Sequence, residues 1–296
     1  MAPLIKLQAP AKINLRLEVL GELPNRYHLL RMFNLTIDLC DLVEINFAGK
    51  DISVEVDDPQ VPPGKDNLVY RAAVYFREKY GIEFGAKIGI RKHIPAGAGL
   101  AGGSSDAAAA LKALAQKFKV KSSALELEEI AYKIGADVPY LMTGGPAWVS
   151  GVGEKIEPVP DFPPAFYLLV KPSFSLSTSE VYSRLGTVRD LTIEPKAVIL
   201  SRLKREGFDG FCVNHLERAA FAMHQKLGEM KQELVRLGAQ ASLMSGSGST
   251  LVGIFLSRAG AEKAARAFAK NRPGMWLKVV AIQNPRGAGI ENQGGS

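Results

Sequence analysis

The most informative segment of this chain is Pro95-Ala96-Gly97-Ala98-Gly99-Leu100-Ala101-Gly102-Gly103-Ser104-Ser105-Asp106. Its glycines and serines allow the backbone to turn tightly and to present N–H groups inward. The residues that follow, 107–118, are strong helix formers with apolar side chains three and four apart, which predicts a helix. We expect Ser104 or Ser105 to cap this helix, so that the loop opens onto a helix N-terminus. Such a loop is suited to binding phosphate.

Two known phosphate-binding motifs share part of this spacing. Gly97, Gly99 and Gly102 match the G-x-G-x-x-G of dinucleotide-binding proteins, but that motif follows a buried parallel strand. Here residues 86–91 alternate between apolar and polar, which is typical of a half-exposed antiparallel strand. Gly97 and Gly102 also have P-loop spacing, but Gly103 stands where that motif requires lysine. A flexible Gly/Ser linker remains an alternative, although linkers rarely lead directly into an Ala- and Leu-rich helix.

Length and composition indicate a soluble, two-domain globular protein. The chain has 296 residues, of which 47% are hydrophobic and 23% charged. Its net charge of +7 suits an anionic partner, but Lys and Arg are scattered, so nucleic acid is not indicated. The two cysteines, Cys40 and Cys212, are isolated, the four histidines lack metal-ligand spacing, and no membrane-spanning run or signal peptide is apparent. These features predict a cytoplasmic protein that binds no membrane and is not a zinc enzyme.

The N-terminal segment predicts a strand with one buried face. Residues 11–19 alternate strictly, which places Lys12 and Asn14 together on the polar face. The pattern predicts further strands at 32–38, 42–47, 51–56, 86–91, 148–149, 166–170, 239–244, 251–256 and 276–282. It predicts helices at 66–79 (capped by Asp66), 107–118, 123–134 (capped by Ser122 or Ser123), 178–185, 194–205, 213–224, 227–237 and 260–270.

A cluster of prolines at residues 157–164 predicts a domain boundary. We expect an N-terminal domain at 1–157, which carries the phosphate loop, and a C-terminal domain at 164–283. Residues 284–296 have almost nothing to bury and are expected to be a disordered tail. Strands and helices mix without regular βαβ alternation, which predicts an α+β fold in two domains.

Three separated motifs resemble those of the GHMP kinase superfamily: Pro10-Ala11-Lys12-Ile13-Asn14-Leu15, residues 95–105, and Ser245-Gly246-Ser247-Gly248-Ser249-Thr250. Arg26-Tyr27-His28 and Gly135-Ala136-Asp137-Val138-Pro139 are similar to the branch that phosphorylates a cytidine-diphosphate-linked methylerythritol in the non-mevalonate isoprenoid pathway. The resemblance extends over about residues 8–283. It implies a two-domain α+β GHMP kinase-like fold, with the active site in the cleft between the domains. It also implies ATP-dependent phosphorylation of the 2-hydroxyl of that substrate.

The resemblance implies roles for two charged residues. Asp137 would be the base that takes the proton of the substrate hydroxyl, while Lys12 would keep Asp137 ionised and stabilise charge on the transferring group. Helix capping is the alternative for Asp137, because it precedes Pro139, and the two roles are compatible. ATP would be bound by the loop residues Pro95, Ala96, Gly97, Ala98, Gly99, Leu100, Ala101, Gly102, Gly103, Ser104 and Ser105. Mg²⁺ is expected from kinase chemistry, but its protein ligands are not identified by the sequence.

The resemblance also implies a substrate site built from both domains. Tyr27 would stack on the cytosine, His28 would hydrogen-bond its edge, and Tyr182 would cover the other side of the ring. Core packing is the alternative for each tyrosine. The other implied contacts are Asn14 with the acceptor alcohol or a phosphate, Thr178 with the diphosphate, and Gly246 and Ser247 with the substrate phosphates or the nucleotide loop.

Arg26 and Leu29 depart from the family pattern, which commonly has Gly and Glu there. Two other functions remain open. Another GHMP kinase, of the homoserine or mevalonate type, would have no base for Tyr27 and His28 to recognise. A non-catalytic nucleotide- or RNA-binding protein would leave Lys12 and Asp137 without a role. The expected partner is a small molecule, and the chain is expected to be a monomer or a homodimer.

Overall fold

The computed structural model describes residues 4–24, 27–120, 124–186, 193–283 and 291–292. In chain order the elements are β1 (Leu4–Glu22), β2 (His28–Asn46), β3 (Ile52–Val56), a 3-10 turn (Gly64–Asp66), α1 (Leu68–Tyr80), β4 (Ala86–Arg91), α2 (Gly102–Lys117), α3 (Ala124–Ile134), α4 (Val138–Thr143), β5 (Ala147–Gly151), β6 (Lys155–Pro158), β7 (Phe166–Lys171), α5 (Thr178–Ser183), α6 (Lys196–Glu206), β8 (Val213–Asn214), α7 (Glu217–Met223), α8 (Gln225–Arg236), β9 (Ala241–Met244), β10 (Leu251–Phe255), α9 (Arg258–Asn271), β11 (Trp276–Ala281) and β12 (Glu291–Asn292). Strands and helices mix as the α+β prediction requires.

The long hairpin of β1 and β2 is the centre of the fold. Each strand has 19 residues, and the two pair antiparallel with register shifts, one of them between Pro10 and Lys12. Ile5, Leu7 and Ala9 belong to one apolar core with the N-terminal helices, whereas Ala11, Ile13 and Leu15 belong to a second core. A β-bulge reverses the side on which the following residues point. The irregularity therefore turns the apolar side of β1 to the second core and leaves Lys12 and Asn14 on the opposite face.

The first sheet has eight strands and is completed by residues from both ends of the chain. β4 pairs antiparallel with β2 and parallel with β3, and it alternates buried and exposed positions as predicted. β8 pairs in parallel with β1, so the predicted helix 213–224 is wrong at its start, and α7 begins only at Glu217. Of the predicted tail, Glu291–Asn292 pair with β1, while 284–290 and 293–296 lie outside the described residues. The halves of the chain thus share one sheet, and the boundary at 157–164 stays a prediction.

The second sheet is antiparallel, in the order β11-β7-β10-β9. One of its faces packs on the hairpin through Tyr167, Leu169 and Val252, which share the second core with Ile13 and Phe33. Its other face is covered by α8 and α9. This sheet therefore brings the loop between β9 and β10 to the centre of β1.

The start of α1 and the continuity of β2 also differ from the sequence prediction. Asn67, not Asp66, caps α1, because Asn67 Oδ1 accepts a bond of 2.9 Å from the Val69 N–H and Asp66 lies in the preceding 3-10 turn. The predicted break between strands 32–38 and 42–47 is wrong, since β2 runs through it and Asp41 is buried in an ion pair. The predicted caps Ser122 and Ser123 lie outside the described residues. Among the described helices, none is long and apolar enough to cross a membrane.

Candidate active site

The three motifs of the sequence meet at the middle of β1. The Lys12 backbone N–H donates to the Leu100 carbonyl at 3.1 Å, which ties the strand to the glycine loop. The Ser245 hydroxyl donates to the Gly99 carbonyl at 3.1 Å and accepts from the Asn14 N–H at 3.3 Å. Segments far apart in the chain are therefore hydrogen-bonded into one site.

The glycine loop lines a cleft of about 350 Å³. The opposite wall consists of residues 60–62 and 66–68. The N–H groups of Gly102, Gly103 and Ser104 lie in the first turn of α2, where the helix itself supplies no acceptor. Since all three residues line the cleft, their N–H groups and the helix dipole make it an anion site.

Neither predicted serine caps α2. The helix begins at Gly102, and the N-cap residue is Ala101, with a left-handed φ of 57° and no side-chain cap bond. Ser104 and Ser105 both lie inside the first turn. Ser105 is 1% exposed, and its hydroxyl donates to the Pro10 carbonyl at 2.6 Å, so it fastens α2 to β1. Ser104 remains at the cleft, close to Gly135.

Gly99 fits where a larger residue would not. Its φ is +73°, and a Cβ there would lie 2.4 Å from the Ser245 carbonyl oxygen and 2.8 Å from that of Gly248. Backbone oxygens at this distance leave no space for a side chain. The glycine is thus required for the contact between the phosphate loop and the loop 245–250.

Lys12 and Asp137 form the charged pair of the site. Lys12 Nζ lies 3.5 Å from Asp137 Oδ1 and donates to Asn14 Oδ1 at 2.8 Å. Asp137 stands at the N-cap position of α4, but its carboxylate accepts no capping bond, so the capping alternative is wrong for the side chain. The Lys12 side chain is 6% exposed and that of Asp137 33%. A buried ammonium therefore faces a carboxylate that is partly exposed to solvent.

The Asp137 charge also acts on two tyrosines. Burial, and then the nearby Asp137 carboxylate, raise the pKa of Tyr182 to about 12. The same two causes raise the pKa of Tyr140, whose hydroxyl donates to the Gly145 carbonyl at 2.6 Å. Tyr182 lies on α5, which follows the second sheet's first strand, whereas Tyr140 lies on α4. Residues from both halves of the chain therefore surround Asp137.

The structure brings the predicted substrate residues to the same region. The rings of His28 and Tyr182 are in contact, with centroids 4.6 Å apart. Tyr27, which precedes His28 in the chain, is 57% exposed. The hydroxyls of Thr178 and Ser247 are hydrogen-bonded at 2.8 Å. The remaining predicted residue, Gly246, lies against Asn14 and Gly99. Of the two departures from the family pattern, Leu29 is exposed and Arg26 lies outside the described residues.

Sequence reasoning missed a buried ion cluster below the glycine loop. Lys92 Nζ pairs with Asp41, and with Asp106 Oδ2 at 2.7 Å. Asp41 Oδ1 also accepts from the His93 and Ile94 N–H groups at 2.6 and 2.8 Å. Burial raises the pKa of Asp106 to about 7, despite the opposing attraction of Lys92. Burial lowers the pKa of Lys92, but the attraction of Asp106 and Asp41 outweighs it, so the net shift is upward.

Two buried asparagines were also missed. Asn214 Nδ2 donates to the Met244 and Gly246 carbonyls at 2.7 and 2.8 Å and so holds the loop 245–250 in place. Asn34 accepts from Asn14 Nδ2 at 2.7 Å. Nothing in the local sequence separates these amides from solvated ones, because what buries them is tertiary packing.

In the described part of the chain, no group of three or more His, Cys, Asp or Glu residues is placed to hold a metal ion. Mg²⁺ in kinase sites is held mainly by substrate phosphates with one or two protein oxygens, so a protein cage is not required. Ser104, which lines the cleft, and the partly exposed Asp137 offer oxygens of the type that Mg²⁺ prefers.

Comparisons with known proteins show which family the chain belongs to. The family of GHMP kinases N terminal domains matches residues 67–145, and that of GHMP kinases C terminal domains matches residues 199–274. The 4-diphosphocytidyl-2-C-methyl-D-erythritol kinase of Clostridium botulinum (strain Hall) is 42% identical over 252 residues, which are 84% of this chain and 90% of that protein. The Clostridium tetani enzyme of the same name is 39% identical over 265 residues, 88% and 95% of the two chains.

Solved structures show the same relationship. A crystal structure of 4-(cytidine 5'-diphospho)-2C-methyl-D-erythritol kinase is 32% identical, with a TM-score of 0.78 over 94% of this chain and 100% of that chain. A homoserine kinase from Cytophaga hutchinsonii is 20% identical, with a TM-score of 0.76 over 96% and 95% of the chains, and so shares the fold. The two-domain α+β GHMP fold expected from the sequence is confirmed. This chain belongs to the 4-diphosphocytidyl-2-C-methyl-D-erythritol kinase family, within the GHMP kinase superfamily.

Proposed function

We propose that this chain is an ATP-dependent kinase that phosphorylates the 2-hydroxyl of 4-diphosphocytidyl-2-C-methyl-D-erythritol, in the non-mevalonate route to isoprenoid precursors. The observation that carries the proposal is the Lys12–Asp137 pair, 3.5 Å apart and bonded through β1 to a glycine loop at a helix N-terminus. Named relatives at about 40% identity over most of the chain support the choice of substrate.

Asp137 is the base for the acceptor hydroxyl. Its carboxylate is partly exposed to solvent and free of helix-capping bonds, so it can accept the hydroxyl proton. The hydroxyl oxygen then bonds to the γ-phosphorus as the bond to the β–γ bridging oxygen breaks, and ADP leaves. Lys12 contributes through its hydrogen-bond donors. It has three N–H donors, of which Asn14 and Asp137 engage two, and the third is available to a phosphoryl oxygen.

The residues from Pro95 to Ser105 hold the triphosphate. The first-turn N–H groups of α2 can bind an anion, so this loop does not require the lysine that a P-loop uses for phosphate. Mg²⁺, when bound, neutralises charge on the β- and γ-phosphates, and Ser104 and Asp137 are the side chains that we expect near it. The remaining length of the cleft, towards residues 60–68, has room for the nucleoside.

The other end of the site recognises the cytidine diphosphate. We assign His28 and Tyr182, whose rings are in contact, to binding of the cytosine base. The exposed side chain of Tyr27 is assigned to the same base. Thr178 and Ser247, whose hydroxyls meet at 2.8 Å, are assigned to the diphosphate. Asn14 is assigned to the acceptor end, because it contacts Lys12 directly.

The experiment is a phosphotransfer assay with the purified protein, ATP and Mg²⁺, offering the cytidyl substrate, homoserine and mevalonate separately. We expect ADP release and a new phosphomonoester, seen by phosphorus NMR, with the cytidyl substrate alone. Asp137→Asn is the matched variant, and we expect it to lower kcat by about 10²–10⁴-fold while ATP affinity stays near that of the wild type. Turnover of homoserine or mevalonate instead would show that the proposed substrate is wrong. Near-wild-type rates in Asp137→Asn would show that Asp137 is not the base. ATP or RNA binding without any phosphate transfer would show that the protein is not a kinase.

A further inference from the structure

Asn34 is a fully buried amide whose NH₂ group forms no hydrogen bond within the described part of the chain. It lies on β2 directly opposite Asn14 on β1, and both are 0% exposed. Its Oδ1 accepts from Asn14 Nδ2 at 2.7 Å, whereas its own Nδ2 has no partner among the described residues. An unpartnered buried amide is unfavourable. An apolar residue here would avoid this unpaired NH₂ group but would leave the buried Asn14 NH₂ group without its oxygen acceptor, so the function of Asn34 lies in its bond to Asn14.

The orientation of Asn14 shows the effect of that bond. An ammonium can only donate hydrogen bonds, so the Asn14 atom 2.8 Å from Lys12 Nζ must be its carbonyl oxygen. Its NH₂ group then has to point the other way, towards β2. The acceptor that it meets there is Asn34 Oδ1, with the weaker acceptor Met32 Sδ at 3.6 Å. The same logic orients Asn34, whose NH₂ is left facing away.

We propose that Asn34 is a positioning residue for phosphoryl transfer. Asn34 holds the Asn14 amide with its oxygen towards Lys12. The Lys12 ammonium is thereby kept oriented towards Asp137 and the transferring group. Asn34 acts only through Asn14 and does not touch substrate. The inference rests on the proposed function and deepens it, because it names what fixes the direction of the catalytic ammonium.

The main test is a double-mutant cycle on kcat and KM. Asn34→Leu keeps the approximate size of the side chain but removes the acceptor, so the Asn14 amide is held only at its oxygen end, by Lys12. We expect kcat to fall about ten- to one hundredfold, with the KM for ATP unchanged, since loss of a hydrogen bond in a charged network is an effect of this order. In an Asn14→Ala background, Asn34→Leu should change kcat less than about threefold, because the Asn14 amide that links residue 34 to Lys12 is already absent.

Asn34→Asp is the conservative variant. A carboxyl group offers an oxygen acceptor to Asn14 whether or not it is protonated, and the NH₂ group that it lacks has no partner to lose. We therefore expect it to recover most of the rate that Asn34→Leu loses. Wild-type kcat in Asn34→Leu, an equal loss in the presence and absence of Asn14, or an Asn34→Asp enzyme as slow as Asn34→Leu would each overturn the proposal.

A second readout does not depend on turnover. The ¹⁵N-labelled ammonium of Lys12, assigned by its loss in Lys12→Arg, exchanges with water slowly when its protons are held in hydrogen bonds. We expect faster exchange in Asn34→Leu than in the wild type or Asn34→Asp. If the wild type transfers no phosphate, the proposed function has failed, and this measurement still decides the inference. Equal exchange in all three proteins overturns it.

Discussion

Lys12 and Lys92 are two buried lysines beside carboxylates, and their surroundings differ in one respect. Lys92 is paired with both Asp41 and Asp106, and its side chain is 4% exposed. Lys12 is equally buried, but it has a single carboxylate at 3.5 Å and an amide at 2.8 Å. A fully paired ammonium has no attraction left for a ligand, whereas a partly paired one can bind new negative charge. The difference supports our proposal that Lys92 has a structural role and Lys12 a catalytic one.

The positions of the two lysines follow the same division. Lys92 joins β2, β4 and α2 below the glycine loop, and Asp41 also binds the backbone where that loop begins. Lys12 lies where the irregularity in β1 turns polar side chains towards α4. The first cluster supports the backbone where the glycine loop begins, and the second is the one that we propose faces the reacting groups.

The largest expected contrast comes from removing each charge with the same substitution. Lys92→Met leaves two buried carboxylates without a cation, and breaking a buried pair in this way costs about 3–5 kcal/mol in the free energy of unfolding. Lys12→Met leaves Asp137, which is partly exposed to water, so we expect a stability loss of only about 1 kcal/mol. The rate should respond in reverse, with kcat falling about a thousandfold in Lys12→Met.

Urea denaturation and steady-state kinetics on both variants check this contrast. The wild type measured in parallel is the common reference. If Lys12→Met proves the more destabilised of the two, or if Lys92→Met keeps full stability, the assignment of structural and catalytic lysines is wrong.

The two aspartates of Lys92 should respond differently to pH. The pKa of Asp106 in the folded protein is about 7, against about 3.9 in an unfolded chain. The folded state therefore binds the proton more tightly between these values, and this group's contribution to stability falls as pH rises from about 4 to about 7. Asp106→Asn, which imitates the protonated acid, should remove this slope, a change of the order of 2 kcal/mol between pH 5 and pH 8.

Asp41→Asn is the matched variant. It leaves the His93 and Ile94 N–H groups and Lys92 with a weaker acceptor, so we expect destabilisation of about 2 kcal/mol at pH 8. Unfolding free energies at pH 5 and pH 8 measure both effects. A slope that survives in Asp106→Asn, or an Asp41→Asn protein as stable as the wild type, would show that the two carboxylates do not have these roles.

The sequence predicted the parts of the site that are local in the chain. Alternation over residues 11–19 placed Lys12 and Asn14 on one face, and they are hydrogen-bonded there. The clustered small residues marked the glycine loop, which lines the cleft. The helix start was wrong, because Ala101 adopts a left-handed conformation that propensity does not anticipate for alanine. These successes and this failure both concern neighbouring residues.

Contacts between distant residues were predicted only where the family resemblance implied them, as for Lys12 and Asp137. Asn34 continues an alternating polar face that is typical of solvent exposure, yet it is fully buried. Asp41 lies between the two predicted strands 32–38 and 42–47, but its charge is paired with Lys92, which is 51 residues away, and the strand continues through it. Propensity and periodicity describe which side of an element is polar. They do not say whether water or another polar group lies on that side.

The smallest expected effect tests how firmly Lys92 is held. A Cβ on Gly102 would lie 3.2 Å from Lys92 Nζ and 3.1 Å from Ile94 Cγ2, whereas one on Gly103 would meet only Leu68 Cδ1, at 3.7 Å. Both glycines are in α2, where alanine is intrinsically better by about 1 kcal/mol. Because two carboxylates fix Lys92, it cannot move aside, so Gly102→Ala should lose that gain and destabilise the protein by about 1 kcal/mol. Gly103→Ala should be neutral or stabilising by up to about 1 kcal/mol, since its neighbour is at ordinary contact distance. Urea unfolding of the nucleotide-free proteins separates the two, and equal stabilities would mean that the ammonium yields easily and that the cluster below the loop is less rigid than its ion pairs imply.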